Sequence, residues 1–295
     1  MHARMKLPPS ITLIEEPADY PILVIQHEAA SGRIALNGAH VMEWLPEGHD
    51  PVLYMSPQAV MQPGTPIRGG IPVCWPWFGP HANDSTKPAH GFVRQQMWEI
   101  DTARESSSEV EIVLKLSSTA QTKELWPHDF NARLHVRMGA HLEVTLQTTN
   151  TGRAPWRMTG ALHTYLNVED VRSISIHGLH GTHYVESRLS PEQRPQHGPV
   201  LIDQEVDRLY ASDATIIVHD PKWGREIVLE KAGSLATVVW NPWIEKSKRL
   251  SDLPDEAYPE FLCIEAANAG ADVIEVPPGG QHLLMQRIDV RCLEH

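Results

Sequence analysis

Four short segments combine residue types that cost stability unless they do something. The first is Arg68-Gly-Gly-Ile-Pro-Val-Cys-Trp-Pro-Trp77-Phe-Gly79. Its paired glycines let the backbone approach something closely, and Trp75 and Trp77 offer flat faces suited to a sugar ring. Taken alone, the segment reads better as a Gly-Pro turn whose tryptophans fill the core. The second is His90-Gly-Phe-Val-Arg94. One arginine is usually a solvated surface residue, but Arg68 and Arg94 both lie in Gly-containing irregular stretches of an acidic chain. Guanidinium forks fit phosphate or carboxylate oxygens, so the two form a candidate anion clamp. The third is Gly160-Ala-Leu-His-Thr-Tyr-Leu-Asn-Val168. Period-two alternation sends Leu162, Thr164 and Leu166 one way and His163, Tyr165 and Asn167 the other, gathering polar groups on one sheet face. A hydrogen-bonded structural histidine is the alternative. The fourth is Glu265 within Phe261-Leu-Cys-Ile-Glu-Ala-Ala267. A carboxylate in a buried strand must be paired, hydrogen-bonded or functional. It is either a salt-bridge partner or a general base in a dry pocket.

Other chemistries are narrowed by what the chain lacks. There is no phosphate-binding P-loop, no dinucleotide Gly-x-Gly-x-x-Gly, no His-Glu-x-x-His and no Gly-x-Ser-x-Gly. Among 17 histidines, His177-x-x-His180-x-x-His183 is the best metal pattern, yet its spacing scatters the side chains and no acid or cysteine completes a set. No metal and no cofactor are expected. With 25 basic against 37 acidic side chains the formal charge is −12, which argues against nucleic acid or an anionic membrane as partner. No apolar run is long enough to span a bilayer, and the first residues carry no apolar signal core. The 3 cysteines, Cys74, Cys263 and Cys292, are scattered and odd in number, as in a reducing cytoplasm. Asn83-Asp84-Ser85 matches a glycosylation triplet by chance on this reading, and Leu293-Glu294-His295 reads as the start of an expression tag.

The elements that must hold these segments are strands. With 24 prolines and 19 glycines in 295 residues, long helices have little room. Val110, Ile112, Leu114 and Leu116 share one face of a strand. Leu134–Met138 and Leu142–Leu146 form a hairpin about Gly139-Ala140, and Ile216–Val218 and Ile227–Leu229 another about Asp220–Gly224. Further strands are expected at Ile22–Ile25, Ile34–Leu36, Ile174–Ile176, Leu235–Val239, Phe261–Glu265 and Leu283–Val290. Only Thr122–Trp126 and Glu245–Leu250 read as helical. The stretch from Met61 to Arg94 has little alternation, as expected of irregular chain lining a site. An all-β fold follows: a large antiparallel β-sandwich with few short helices, as a single domain over residues 1–295.

Taken together, Arg68-Gly-Gly-Ile-Pro with Trp-Pro-Trp-Phe-Gly, His90-Gly-Phe-Val-Arg94, Leu162-His-Thr-Tyr165, Val239-Trp-Asn-Pro-Trp243 with Glu245-Lys246, and Cys263-Ile-Glu265-Ala resemble the hexose-6-phosphate mutarotases. These are the glucose-6-phosphate 1-epimerases of the aldose 1-epimerase-like superfamily. The resemblance runs from about residue 20 to 290. It implies a galactose-mutarotase-like sandwich with sugar on a concave face. It also implies His163 and Glu265 as the catalytic pair, Arg68 and Arg94 as substrate and phosphate contacts, and Asp207 as a sugar contact. His90, Trp75 and Trp77 join the expected binding set. Some relatives have glutamine where this chain has Ala89, which removes one polar sugar contact. The implied reaction interconverts α and β anomers of a hexose 6-phosphate, glucose 6-phosphate foremost, by acid–base ring opening. Protonated His163 would serve the ring oxygen and Glu265 the anomeric hydroxyl, from opposite sides of the acetal carbon. The rivals are a mutarotase for neutral aldoses such as galactose or glucose, and a non-catalytic carbohydrate-binding sandwich. A small sugar phosphate is the expected partner, and a monomer the expected state.

Overall fold

The computed structural model describes residues 6–186 and 192–293; Glu294 and His295 of the suspected tag lie outside the described residues. Strands dominate, and every strand pair among the described residues is antiparallel. The strongest alternation becomes the longest strands. Glu109–Ser117, Phe130–Gly139 and Leu142–Asn150 pair in sequence, with Ile112 opposite Val136 and Leu134 opposite Leu146. The second expected hairpin is Ile216–Asp220 with Arg225–Ala232. The two α-helices are short, Ala120–Leu125 and Trp243–Ser247, close to where the sequence puts them. No helix among the described residues is long and apolar enough to cross a membrane.

Two large sheets face each other. One has 8 strands, ordered Ser175–His177, Ile216–Asp220, Arg225–Ala232, Gln281–Cys292, Leu142–Asn150, Phe130–Gly139, Glu109–Ser117, Glu99–Glu105. The other has 7, ordered Gln193–Pro195, His183–Glu186, Val206–Ala211, Ala236–Asn241, Phe261–Asn268, Gly160–Asn167, Val73–Cys74. A 4-stranded sheet from Ile11–Glu15 to His40–Pro46 and a small pair, Trp156–Met158 with Ile274–Val276, complete the fold.

Alternation sorts the 7-stranded sheet into two chemically different faces. Leu162, Leu166, Val239, Leu262 and Ile264 join Leu134, Val136, Leu146, Ile227 and Ile288 of the opposite sheet in one large core. Each such side chain, buried fully, contributes roughly 1.5–3 kcal/mol of transfer free energy. Thr164 adds a polar tie across the sandwich by donating to Gln286 Oε1, while Gln286 Nε2 donates to Ile264 O at 3.1 Å. The far face carries a second apolar cluster, with Tyr54, Phe78, Tyr165, Trp240 and Phe261. The polar groups of the site emerge from that cluster.

The irregular stretch ends as expected: between Met61 and Arg94 the regular elements are the two-residue strand Val73–Cys74 and the start of a 3₁₀ turn, Val93–Gln95. Its backbone completes the edge of the Gly160–Asn167 strand, with Tyr165 N–H donating to Gly70 O at 2.9 Å and His163 N–H to Pro72 O at 3.0 Å. Gly70 has φ +57°, and a Cβ there would stand 2.3 Å from Val41 O. Only glycine lets the chain pass so close, and the passage brings Arg68 beside Tyr165.

Candidate active site

Strand register creates the centre of the site. His163 on Gly160–Asn167 is the direct antiparallel partner of Glu265 on Phe261–Asn268. Directly opposite residues on one face stand close enough for their side chains to touch. Nε2 of His163 lies 3.3 Å from Oε1 of Glu265, with the imidazole 12% and the carboxylate 2% exposed. They form the floor of a cleft of about 410 Å³ whose lining also includes Arg68, His90, Arg94, Tyr165, Asp207, Trp240 and Lys246. Tyr165 stacks on the imidazole, with ring centroids 5.0 Å apart and planes inclined by 13°. Trp240 presents an edge to it at 6.0 Å, and His90 does so at 5.8 Å. This aromatic collar fixes the imidazole plane.

Cations come from the loops. The Arg68 guanidinium donates to Asp252 Oδ1 at 3.1 Å and to the Tyr165 hydroxyl at 2.9 Å. Its charge is therefore compensated, and its position fixed, before any ligand arrives. Arg94 is different. Its NH2 group donates to Ala89 O at 2.9 Å, while its Nε has no hydrogen-bond partner among the described residues. Ala89 thus serves the site through its carbonyl, although its side chain offers no polar contact. His90 has φ +65°, a left-handed conformation that costs a non-glycine residue of order 1–3 kcal/mol and gathers at functional sites. Gly91 follows at φ +70°, where a Cβ would meet Trp75 O at 1.9 Å. At the rim, Lys246 Nζ is 2.8 Å from Glu205 and 3.5 Å from Asp207, and lies over the Trp240 ring at 5.7 Å.

Burial and neighbouring charge shift the proton affinities in the cleft. Burial drives the His163 imidazole well below its ordinary value, and the positive fields of His90, Arg94 and Arg68 add to that. Burial likewise pushes the Tyr165 phenol up, so it stays protonated. Burial thus works against the protonated histidine of the expected mechanism. Geometry corrects the expectation in one respect: the two residues expected as acid and base do not stand on opposite sides of an empty space but lie 3.3 Å apart, because they are register partners.

Six of the eight expected site residues line this one cleft: His163, Glu265, Arg68, Arg94, His90 and Asp207. Trp75 and Trp77 do not. Trp75 is 0% exposed and packs edge-on against Trp126, Phe130 and Trp156. Trp77 is 9% exposed, contacts Phe92 and donates to Pro88 O, lining a separate hollow with Trp126 and His81. Alternation from Val73 carries the signal, since Trp75 must point with Val73 into the core. The tryptophan that does reach the cleft is Trp240; Tyr165 is there as its alternation with His163 implies, while Lys246 and Asp252 are further parts that residue types alone did not single out. Their motifs were visible, but their roles depend on strand order. A larger hollow of about 730 Å³ is lined chiefly by small and apolar groups such as Leu209, Leu235, Ala236, Ala269 and Ala271. Of the histidine triplet, His177 contacts Ser175 and His180 accepts from Gly198 N; no group of three potential metal ligands occurs among the described residues.

The chain is similar to known proteins in sequence and in fold. The aldose 1-epimerase family profile matches residues 21–288. A protein of Escherichia coli strain K12 named "Putative glucose-6-phosphate 1-epimerase" is 34% identical, over 84% of this chain and 83% of its own length. A namesake from Salmonella typhimurium is 32% identical, over 86% of this chain and 85% of its own. Among solved structures, that of a "putative mutarotase (YeaD)" from Salmonella typhimurium superposes with TM-score 0.91 at 29% identity, covering 97% of this chain and 95% of the other.

Proposed function

This chain belongs to the aldose 1-epimerase family, and on that premise we propose that it interconverts the α and β anomers of a hexose 6-phosphate, glucose 6-phosphate in the first place. The observation that carries the reading is the contact between His163 Nε2 and Glu265 Oε1, 3.3 Å apart on the floor of a cleft that also presents Arg94. Anomer exchange needs protons moved at two oxygens, the ring oxygen and the anomeric hydroxyl. Both are bonded to the same carbon, so an acid and a base side by side can serve both.

In the proposed sequence the imidazolium of His163 gives its Nε2 proton to the ring oxygen while the Glu265 carboxylate takes the anomeric proton. The bond from the anomeric carbon to the ring oxygen breaks, leaving an open-chain aldehyde. Rotation about C1–C2 turns the other carbonyl face to the hydroxyl, and closure returns both protons. The pair ends as it began, so no redox partner enters the balance. Each group contributes on the order of 10²–10⁴ in rate.

Two features favour a phosphorylated sugar over a neutral one. Arg94 is a cation without an acidic partner among the described residues, and it faces the same cleft as the acid–base pair. The relatives named above also carry glucose 6-phosphate in their names. Burial is the main cause of the low proton affinity of His163, and a dianion on Arg94 would offset the positive fields that add to it, so the substrate would bring with it part of the proton affinity the acid needs. The test is exchange spectroscopy by NMR on equilibrated glucose 6-phosphate. Faster exchange between anomers with the protein, exceeding that for glucose and galactose, is expected. Equal or greater acceleration of the neutral sugars would replace this substrate reading, and no acceleration of any sugar would leave a binding protein.

A further inference from the structure

We propose that Lys246 is a second phosphate ligand that the free protein keeps engaged on Glu205 and that exchanges this carboxylate for the phosphate when substrate enters. The inference rests on the hexose 6-phosphate reading. Three side chains with fixed positive charge line the cleft, Arg68, Arg94 and Lys246. Arg68 is committed to Asp252 and Tyr165 and acts as part of the wall. Arg94 alone balances one of the two charges of a phosphate monoester. The other must come from Lys246 or be left uncompensated in a cleft that also contains Glu265 and Asp207.

The setting of Lys246 suits an exchange. It projects from the short helix Trp243–Ser247 with its ammonium 2.8 Å from Glu205 and 3.5 Å from Asp207. Lys246 is 31% and Glu205 42% exposed, so water already competes for the pair. Ion pairs of that exposure hold by only about 0.2–1 kcal/mol. A dianion in the cleft outbids a single carboxylate at the rim. The lysine stem can swing while the ammonium, a point charge with three donors, re-forms its bonds without a fixed fork geometry. Its departure also strips Asp207 of a competing donor, leaving both carboxylate oxygens to accept from sugar hydroxyls. Glu205 therefore discriminates: a neutral sugar cannot displace it, and a phosphate can.

Steady-state anomer exchange with glucose 6-phosphate, and competitive inhibition by inorganic phosphate, test this on Glu205→Gln, Lys246→Met and the double variant. Glu205→Gln should lower KM and the phosphate inhibition constant by about two- to fivefold, the value of an exposed ion pair. Lys246→Met should raise both by about tenfold. The double variant should match Lys246→Met, since the glutamate acts only through the lysine. A structural role for the pair predicts the opposite sign for Glu205→Gln. If wild-type protein prefers glucose 6-phosphate but Glu205→Gln leaves both constants unmoved or raised, the exchange is overturned and the substrate reading survives. If wild-type protein shows no preference for the phosphate ester, both fall together.

Discussion

At the scale of single residues, the proposed reaction reduces to an imidazole and a carboxylate in contact. Glu265→Gln keeps the shape and a hydrogen-bonding partner for His163 but cannot take a proton; mutarotation should fall by about 10²–10⁴ with the fold intact, and wild-type exchange in the folded variant would remove Glu265 from the mechanism. Arg94→Ala should raise KM for glucose 6-phosphate much more than for glucose, and equal effects on the two sugars would count against a phosphate anchor. The low resting proton affinity of His163 gives a pH signature whose sign follows from its cause. A phosphate dianion opposes the fields of Arg94 and Arg68, so the bound imidazole holds its proton to higher pH. The basic limb of kcat for glucose 6-phosphate should therefore lie at higher pH than the limb for glucose, and coincident limbs would mean that the ester leaves His163 untouched. The sequence showed the identities of this pair but not their contact. Alternation placed His163 and Tyr165 on one face correctly, and a carboxylate between Ile264 and Ala266 announced itself by its cost. Contact is a matter of register across two strands far apart in the chain, and alternation within either strand carries no information about its neighbour.

At the scale of elements, the longest strands were readable and most of the shortest were not, Ser175–His177 excepted. Glu109–Ser117 repeats its apolar pattern four times, whereas Val73–Cys74 and Gln193–Pro195 are two and three residues long and have no period to read. Tryptophan misled for a related reason. A flat apolar ring serves a core or a sugar equally well, and Trp75 proves to be core. Trp75→Ala should cost about 3–5 kcal/mol, read as a fall in Tm, with KM of the remaining folded enzyme unchanged; a raised KM would return Trp75 to the site. His40 makes a second prediction. It is 1% exposed on the His40–Pro46 strand, and its Nε2–H donates to Gly69 O at 2.9 Å, bracing the turn that carries Arg68. Burial lowers its pKa from 6.5 to about 3. The unfolded chain thus binds more protons than the native one below about pH 6.5, and native stability must decline as pH falls through that range. His163 acts in the same direction. Tm should be level above pH 7 and drop between about pH 6.5 and 4.5, before ordinary carboxylates titrate. A flat profile there would mean that neither histidine is buried neutral.

At the scale of the whole molecule, the proposed substrate sets a dianion against a formal charge of −12. Distributed surface charge is screened over about 8 Å at physiological ionic strength, while a cation inside the cleft acts at contact. The local field wins, so kcat/KM for glucose 6-phosphate should fall as salt rises, with that for glucose nearly constant; a rise would mean that the overall charge governs encounter. The sandwich also divides its labour. His163 and Glu265 stand at the two ends of one rung of an antiparallel ladder, fixed by every pairing from Gly160–Asn268 to Asn167–Phe261. Arg68, Arg94 and Lys246 come from connecting chain and one short helix outside that ladder. One inserted residue in either rung-bearing strand would turn its reactive group inward and silence the protein. The connecting segments carry no such penalty. Grafting them between scaffolds should therefore retarget the appetite of the catalyst while its proton machinery runs on unaltered.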